Sequence, residues 1–186
     1  WGHVSLATSF IGAKGYDILV AVDTVLRGPR KRRVKVSIAS HAKFTKRELM
    51  VYLKKVGSQI LWPDHGIAGT DEAELHPDLR HSIYFGYLLV KGLDPRVDSY
   101  SAFKDNMGRP TELTDVLHAR KVKRVFGCGL AKDFCEGWSL LDAISDGFEA
   151  VHLEDASRSV NIPGTKKNPS SVERIEQQFK DAGVII

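Results

Sequence analysis

The sequence predicts a three-layer α/β/α sandwich with a mostly parallel sheet, and three observations carry that prediction. Short apolar runs recur along the chain, of the kind parallel strands show when both faces are covered. Segments with apolar residues at helical spacing fill the gaps between them. Capping residues and glycines mark several of the helix ends.

In order, YDILVAV (16–22) reads as a strand, followed by an irregular stretch, 26–45, that leads into a helix from Thr45 to Val56. A second irregular stretch, 61–82, precedes the strand YFGYLLVK (84–91). A third, 92–111, ends at Pro110 and Thr111, where the helix ELTDVLHARK begins. KRVFGC (123–128) is the next strand, and FCEGWSLLDAISDG is a helix that stops near Gly147. EAVHLE (149–154) is again a strand. Ser170 and Glu173 form a capping box, after which Val172, Ile175, Phe179 and Ala182 share one helix face and Gly183 ends the helix before the terminal strand GVII. Loops at strand ends are where such folds keep their chemistry.

A chain of 186 residues, 42% hydrophobic and 27% charged, suits one domain over 1–186 with one site. No apolar run reaches the ~18 residues of a membrane span and no signal-peptide layout opens the chain, so a soluble protein is expected. Two cysteines, Cys128 and Cys135, make no disulfide framework and point to a reducing, intracellular compartment. The chain begins at Trp1, and a removed targeting peptide is one reading of that, which raises a mitochondrial location. The net charge of +4 is unevenly placed: nine Lys or Arg and no Asp or Glu lie between Arg27 and Arg47, leaving 18 basic against 23 acidic residues elsewhere. Such a block is either a solvated loop or a surface for an anionic partner such as RNA.

Two loops hold candidate chemistry. Lys91 closes an apolar strand, where its ammonium could favour the ionised form of a nearby thiol. Cys135 opens a helix, whose dipole favours thiolate and whose first amides can hold an oxyanion. The same residues also read as a buried structural thiol and a surface lysine.

Three stretches bear on that choice: LWPDHGIAGTDEAELHPDL (61–79), VKGLDPRVDSYSAFKDN (90–106) and GCGLAKDFCEGWSLLDA (127–143). Together and in this order they resemble the signature stretches of the nicotinamidases, in the isochorismatase-like hydrolase superfamily. The resemblance implies that fold, and a site in which a cysteine, a lysine and an aspartate cleave a carboxamide through a thioester beside a metal ion. It assigns the nucleophile to Cys135 and the catalytic lysine to Lys91, places a cis peptide at Leu130 and Ala131, and gives the oxyanion hole to the amides of Ala131 and Cys135. Trp62, Phe103 and Leu130 would belong to the substrate pocket, and His65 matches one metal ligand.

The departures from the family pattern are specific. The family's aspartate ends a first strand resembling V-D-x-Q-x-D-F, which does not occur ahead of YDILVAV, so the domain is expected to be N-terminally incomplete, with that strand missing. General acid/base help of this kind is worth ~10² to 10⁴ in rate. Where the family has D-x-H and then H-x-S-F-A, this chain keeps Asp23 but has Val25 and Lys35 at the histidine positions, with a basic insertion at about 26–36 holding Arg27, Arg30, Lys31, Arg32, Arg33 and Lys35. Asp23 and His65 alone are too few donors for a tightly held transition metal, so no zinc, iron or manganese, and no other cofactor, is expected. Lys132 stands where a small hydroxyl residue is usual and Glu136 where an aliphatic one is, and a carboxylate beside the thiol would oppose thiolate formation.

The expectation is therefore a catalytically degenerate nicotinamidase-like protein, serving as a structural or binding subunit of a larger assembly, with mitochondrial assemblies among the options. Protein partners, and RNA through residues 27–47, are its expected contacts, and nicotinamide deamidation by the recorded chain is expected to be negligible. The alternative is an active nicotinamidase, converting nicotinamide to nicotinate and ammonia, whose aspartate lies on an unrecorded N-terminal segment. A sensor that keeps the nicotinamide pocket without turnover is a third reading.

Overall fold

The computed structural model describes residues 18–20, 46–56, 58–60, 62, 71, 77–78, 86–94 and 97–186. Contacts divide the chain into two compact units, Trp1–Asp98 and Ser99–Ile186, and each is described by itself.

In the first unit, β1 (Ile18–Val20) pairs with β2 (Ser58–Ile60), and α1 (Lys46–Val56) lies between them in sequence. Helix α1 begins where the sequence places it. It buries Tyr52 and Leu53 while exposing Lys54 and Lys55. Glu48 in its first turn and the two lysines in its last suit the helix dipole.

One pairing is new to the sequence reading, and one expectation is corrected. The β1–β2 ladder is antiparallel, with Ile18 opposite Ile60 and Val20 opposite Ser58. A short apolar run marks a buried strand but carries no information on its direction. Residues 86–91, expected as a strand, form no ladder among the described residues, and Tyr87, Leu88 and Val90 are exposed. Apolar composition makes a strand only when a neighbouring edge takes up its N–H and C=O groups. Lys91 thus follows an irregular segment.

The second unit follows the predicted order: α2 (Leu113–Ala119), β3 (Arg124–Leu130), α3 (Cys135–Ser145), β4 (Glu149–Arg158) and α4 (Ser171–Ala182). Strands β3 and β4 are parallel, and the terminal GVII run joins β4 through a parallel bridge between Val151 and Ile185. The capping box of α4 is present in full, and Gly183 ends the helix at φ 82°, the left-handed conformation that glycine adopts without steric cost.

The core lies between α3, α4 and the β4 side of the sheet, and is built on Leu140, Ala143, Phe148, Ala150, Ile175, Phe179 and Val184. Two glycines set how closely α3 approaches. A Cβ on Gly127 would meet Leu140 Cγ at 2.9 Å, and one on Gly137 would meet the Lys132 carbonyl oxygen at 2.2 Å and Ile175 Cγ1 at 2.6 Å. Helix α3 is therefore seated against β3, against α4 and against the loop that precedes it.

Candidate active site

The loop from the end of β3 to the start of α3 carries Leu130, Ala131 and Cys135. The Leu130–Ala131 peptide is cis, as the resemblance implied. The Ala131 carbonyl accepts the amides of Phe134 at 2.9 Å and Glu136 at 3.1 Å, which closes the loop into a tight turn. Cys135 is the first residue of α3 and is half-buried. Ser139 donates to the Cys135 carbonyl at 2.6 Å and accepts the Ala102 amide at 2.8 Å, tying the start of α3 to the segment around residue 102.

Asp133 fastens the same loop from the other side. Its Oδ1 accepts the Val160 amide at 3.0 Å, and its Oδ2 accepts the Asn161 amide at 2.8 Å and the Ser171 hydroxyl at 2.6 Å. A buried carboxylate that receives three hydrogen bonds is well compensated for its lost hydration.

Lys132 and Glu136 do not crowd the nucleophile in the way the sequence suggests. Both side chains turn into the interior. Lys132 Nζ donates to Glu154 Oε2 at 2.7 Å and to Glu176 Oε1 at 2.8 Å. Glu136 Oε1 lies 2.6 Å from His152 Nδ1, and His152 Nε2 lies 2.8 Å from the Glu154 oxygen that Lys132 also holds. Burial acts to lower the Lys132 pKa, but its hydrogen bonds and charge attraction to Glu154 and Glu176 outweigh that and hold the ammonium above its usual range. The hydrogen bond from Lys132, aided by His152 against the effect of partial burial, keeps the Glu154 carboxyl below its usual range.

The register of the sheet shifts where this network crosses it. Gly127 opposes His152 while Gly129 opposes Ser157, so β4 spends more residues than β3 over that span, and Glu154 lies in the extra stretch.

The other assigned residues fall as follows. Phe103 is in the buried core against Phe148, with ring centroids 6.1 Å apart, and Leu130 is exposed. Trp62 is buried and Lys91 half-buried in the first unit. Asp23, His65, Val25 and the basic residues Arg27, Arg30, Lys31, Arg32, Arg33 and Lys35 lie outside the described residues. No step below passes through a metal ion.

Sequence reasoning missed Asp133, Ser139, His152 and Glu154. One signal was available: residues 150, 152 and 154 share a strand face, so His152 had to point the same way as the core residue Ala150.

Fold and site together define an α/β domain with a thiol on the first turn of a helix that follows a parallel strand. The isochorismatase domain matches residues 10–182, and the chain belongs to that family. It is 34% identical over 130 residues to the nicotinamidase of Acinetobacter baylyi, covering 66% of this chain and 60% of that protein. It is 40% identical over 105 residues to the nicotinamidase of Escherichia coli, covering 56% and 49%. The chain thus spans about half to three-fifths of the length of these relatives. Among solved structures, the Acinetobacter baumanii nicotinamidase matches with a TM-score of 0.71 at 31% identity, covering 99% of this chain and 70% of that one. A pyrazinamidase of Pyrococcus horikoshii, solved in complex with zinc, matches with a TM-score of 0.54 at 30% identity over 67% of this chain and 62% of its own.

Proposed function

We propose that this chain carries the nucleophilic half of a nicotinamidase-type amidohydrolase site. Cys135 attacks the carbonyl carbon of a pyridine carboxamide such as nicotinamide. The amides of Ala131 and Cys135 receive the oxyanion, the C–N bond breaks and ammonia leaves, and water then cleaves the thioester to the carboxylate. The resemblance assigns the catalytic lysine to Lys91. The carboxylate that takes the thiol proton comes, in this reading, from sequence outside the recorded residues.

The observation that carries the proposal is the closed loop before α3: the Ala131 carbonyl held by two amides, and Cys135 at the head of the helix. The similarity to nicotinamidases supports the substrate class. Lys132 and Glu136, which the sequence suggests would crowd the nucleophile, turn instead into the interior, Lys132 to Glu154 and Glu136 to His152, which removes that objection. The test is ammonia release from nicotinamide by the full-length polypeptide. A rate of roughly 1 per second or faster, abolished by Cys135→Ala, is the expected result, and no release above background counts against the proposal.

A second reading, a binding subunit of a larger assembly in a reducing or mitochondrial compartment, is favoured by one specific observation. Nine cations and no anion lie between Arg27 and Arg47 in a chain that is otherwise net acidic. Selection for solubility alone would scatter that charge. RNA or an acidic protein face fits such a segment, and the two readings are compatible.

A further inference from the structure

We propose that Glu176, Lys132, Glu154, His152 and Glu136 act as one positioning network that holds the 130–135 loop, and couples the reactivity of Cys135 to the protonation of His152. The inference rests on the proposed function for its catalytic consequence, but its structural basis is independent of it.

The five side chains form a continuous path. Glu176 on α4 meets Lys132 at 2.8 Å, Lys132 meets Glu154 at 2.7 Å, Glu154 meets His152 at 2.8 Å, and His152 meets Glu136 at 2.6 Å. The path meets the nucleophile's loop twice. Lys132 sits three residues before Cys135 and Glu136 one after it, and the Glu136 amide also donates to the Ala131 carbonyl at 3.1 Å. The Lys132 main chain is held on one side by its amide, which donates to the Arg158 carbonyl at 2.9 Å, and its carbonyl oxygen fills the space a Cβ would need at Gly137. A shift anywhere along the path is therefore passed to the turn that presents Cys135.

The charges make the path sensitive to one proton. Both His152 ring nitrogens face carboxylate oxygens, so both contacts are hydrogen bonds only when each nitrogen carries a hydrogen or a carboxyl holds one instead. The groups facing the ring are Glu136 from α3 and Glu154 from β4 itself, with Lys132 and Glu176 joined through Glu154. From α4 the Phe179 ring packs on it at 5.5 Å between centroids. Loss of the proton falls hardest on Glu136, whose side chain is 4% exposed and whose Oε2 already has no hydrogen-bond partner among the described residues. Glu154, at 61% exposed, can turn to water instead.

Stability alone does not account for the network. A buried ionic group is commonly matched or surpassed in stability by apolar residues of similar volume. His152 is not a base for the substrate, because its side chain is fully buried. Its role is positional.

The test uses full-length protein in a Cys128→Ser background, which leaves Cys135 as the sole thiol of these 186 residues. The rate of Cys135 alkylation by iodoacetamide is followed against pH, together with kcat and KM for nicotinamide. His152→Gln and Glu154→Gln are expected to change the pH profile of alkylation, and to lower kcat by about 10- to 10²-fold with KM little changed, as misplacement of a reacting group does. Lys132→Arg, which keeps both carboxylate contacts, should retain the wild-type profile, whereas Lys132→Met should not. Should His152→Gln fail to fold, Glu154→Gln at its half-exposed position decides the question. Folded variants with wild-type alkylation profiles and wild-type kcat would overturn the network proposal. Altered alkylation profiles in a protein that hydrolyses no nicotinamide would uphold the network and count against the proposed function.

Discussion

Glu136 Oε1 and His152 Nδ1 lie 2.6 Å apart in the interior of the second unit, although the two residues are 16 apart in sequence. Their pairing changes the meaning of Glu136, from a negative charge set beside a thiol to the inner end of a chain of hydrogen bonds. It also fixes the first turn of α3, on which Cys135 stands, to the middle of β4.

Acid should weaken the second unit through Glu154. Its carboxyl is held below the usual range, chiefly by the hydrogen bond from Lys132, so it binds protons more readily in the unfolded state. The stability it contributes is present above the unfolded value of about 4.3 and is lost as pH falls through the lower folded value. Lys132, held above its usual range, contributes stability that is present below about 10.4 and is lost only as pH rises through the raised value. Thermal unfolding followed from pH 7 downward should show a falling midpoint below about pH 4.3, and Glu154→Gln should flatten that limb. An acid limb identical in Glu154→Gln would contradict this assignment.

Gly137→Ala should destabilise the protein and disturb the nucleophile's loop together. The added Cβ would stand 2.2 Å from the Lys132 carbonyl oxygen and 2.6 Å from Ile175 Cγ1, so backbone must move. Overpacking of this kind costs ~1–3 kcal/mol, and a clash with backbone lies at the upper end, against the ~0.8–1 kcal/mol gained from alanine's better helix propensity. Denaturant titration gives the stability loss, and a thiol alkylation rate for Cys135 that differs from wild type gives the loop displacement.

Much of the second unit was legible in the sequence because local signals there agree with one another. The Ser170–Glu173 box, the apolar stripe of Ile175 and Phe179 and the closing Gly183 all specify the same helix, and the structure has it at Ser171–Ala182. The cis Leu130–Ala131 peptide was legible only through resemblance, since nothing in the local composition demands it. The direction of β1 against β2 was not legible, because the apolar pattern of a buried strand is the same in either sense. Nor was the network: Lys132 meets Glu176 across 44 residues, and a charged residue in a sequence gives no sign of its partner when the contact is made by tertiary packing. Lys132 and Glu136, taken one at a time, looked like damage.

Neutralising Arg30, Lys31, Arg32 and Arg33 together should reduce the salt dependence of binding to an anionic partner. Each phosphate contact adds ~0.7–0.9 to the slope of log affinity against log salt, so the fourfold variant should flatten the slope for a single-stranded RNA by up to about three. Titrations at several salt concentrations measure it. An unchanged slope would return the segment to an ordinary solvated loop.

The central claim, acyl transfer through Cys135, is tested most directly by partitioning the thioester between water and a stronger nucleophile. With nicotinamide and hydroxylamine present, the full-length protein should yield nicotinohydroxamic acid at the expense of nicotinate, with ammonia released in step with the two products combined. Cys135→Ala should yield neither. Hydroxamate formation that depends on Cys135 is the result this account predicts. Absence of both products from the wild-type protein, or their persistence in Cys135→Ala, would contradict it.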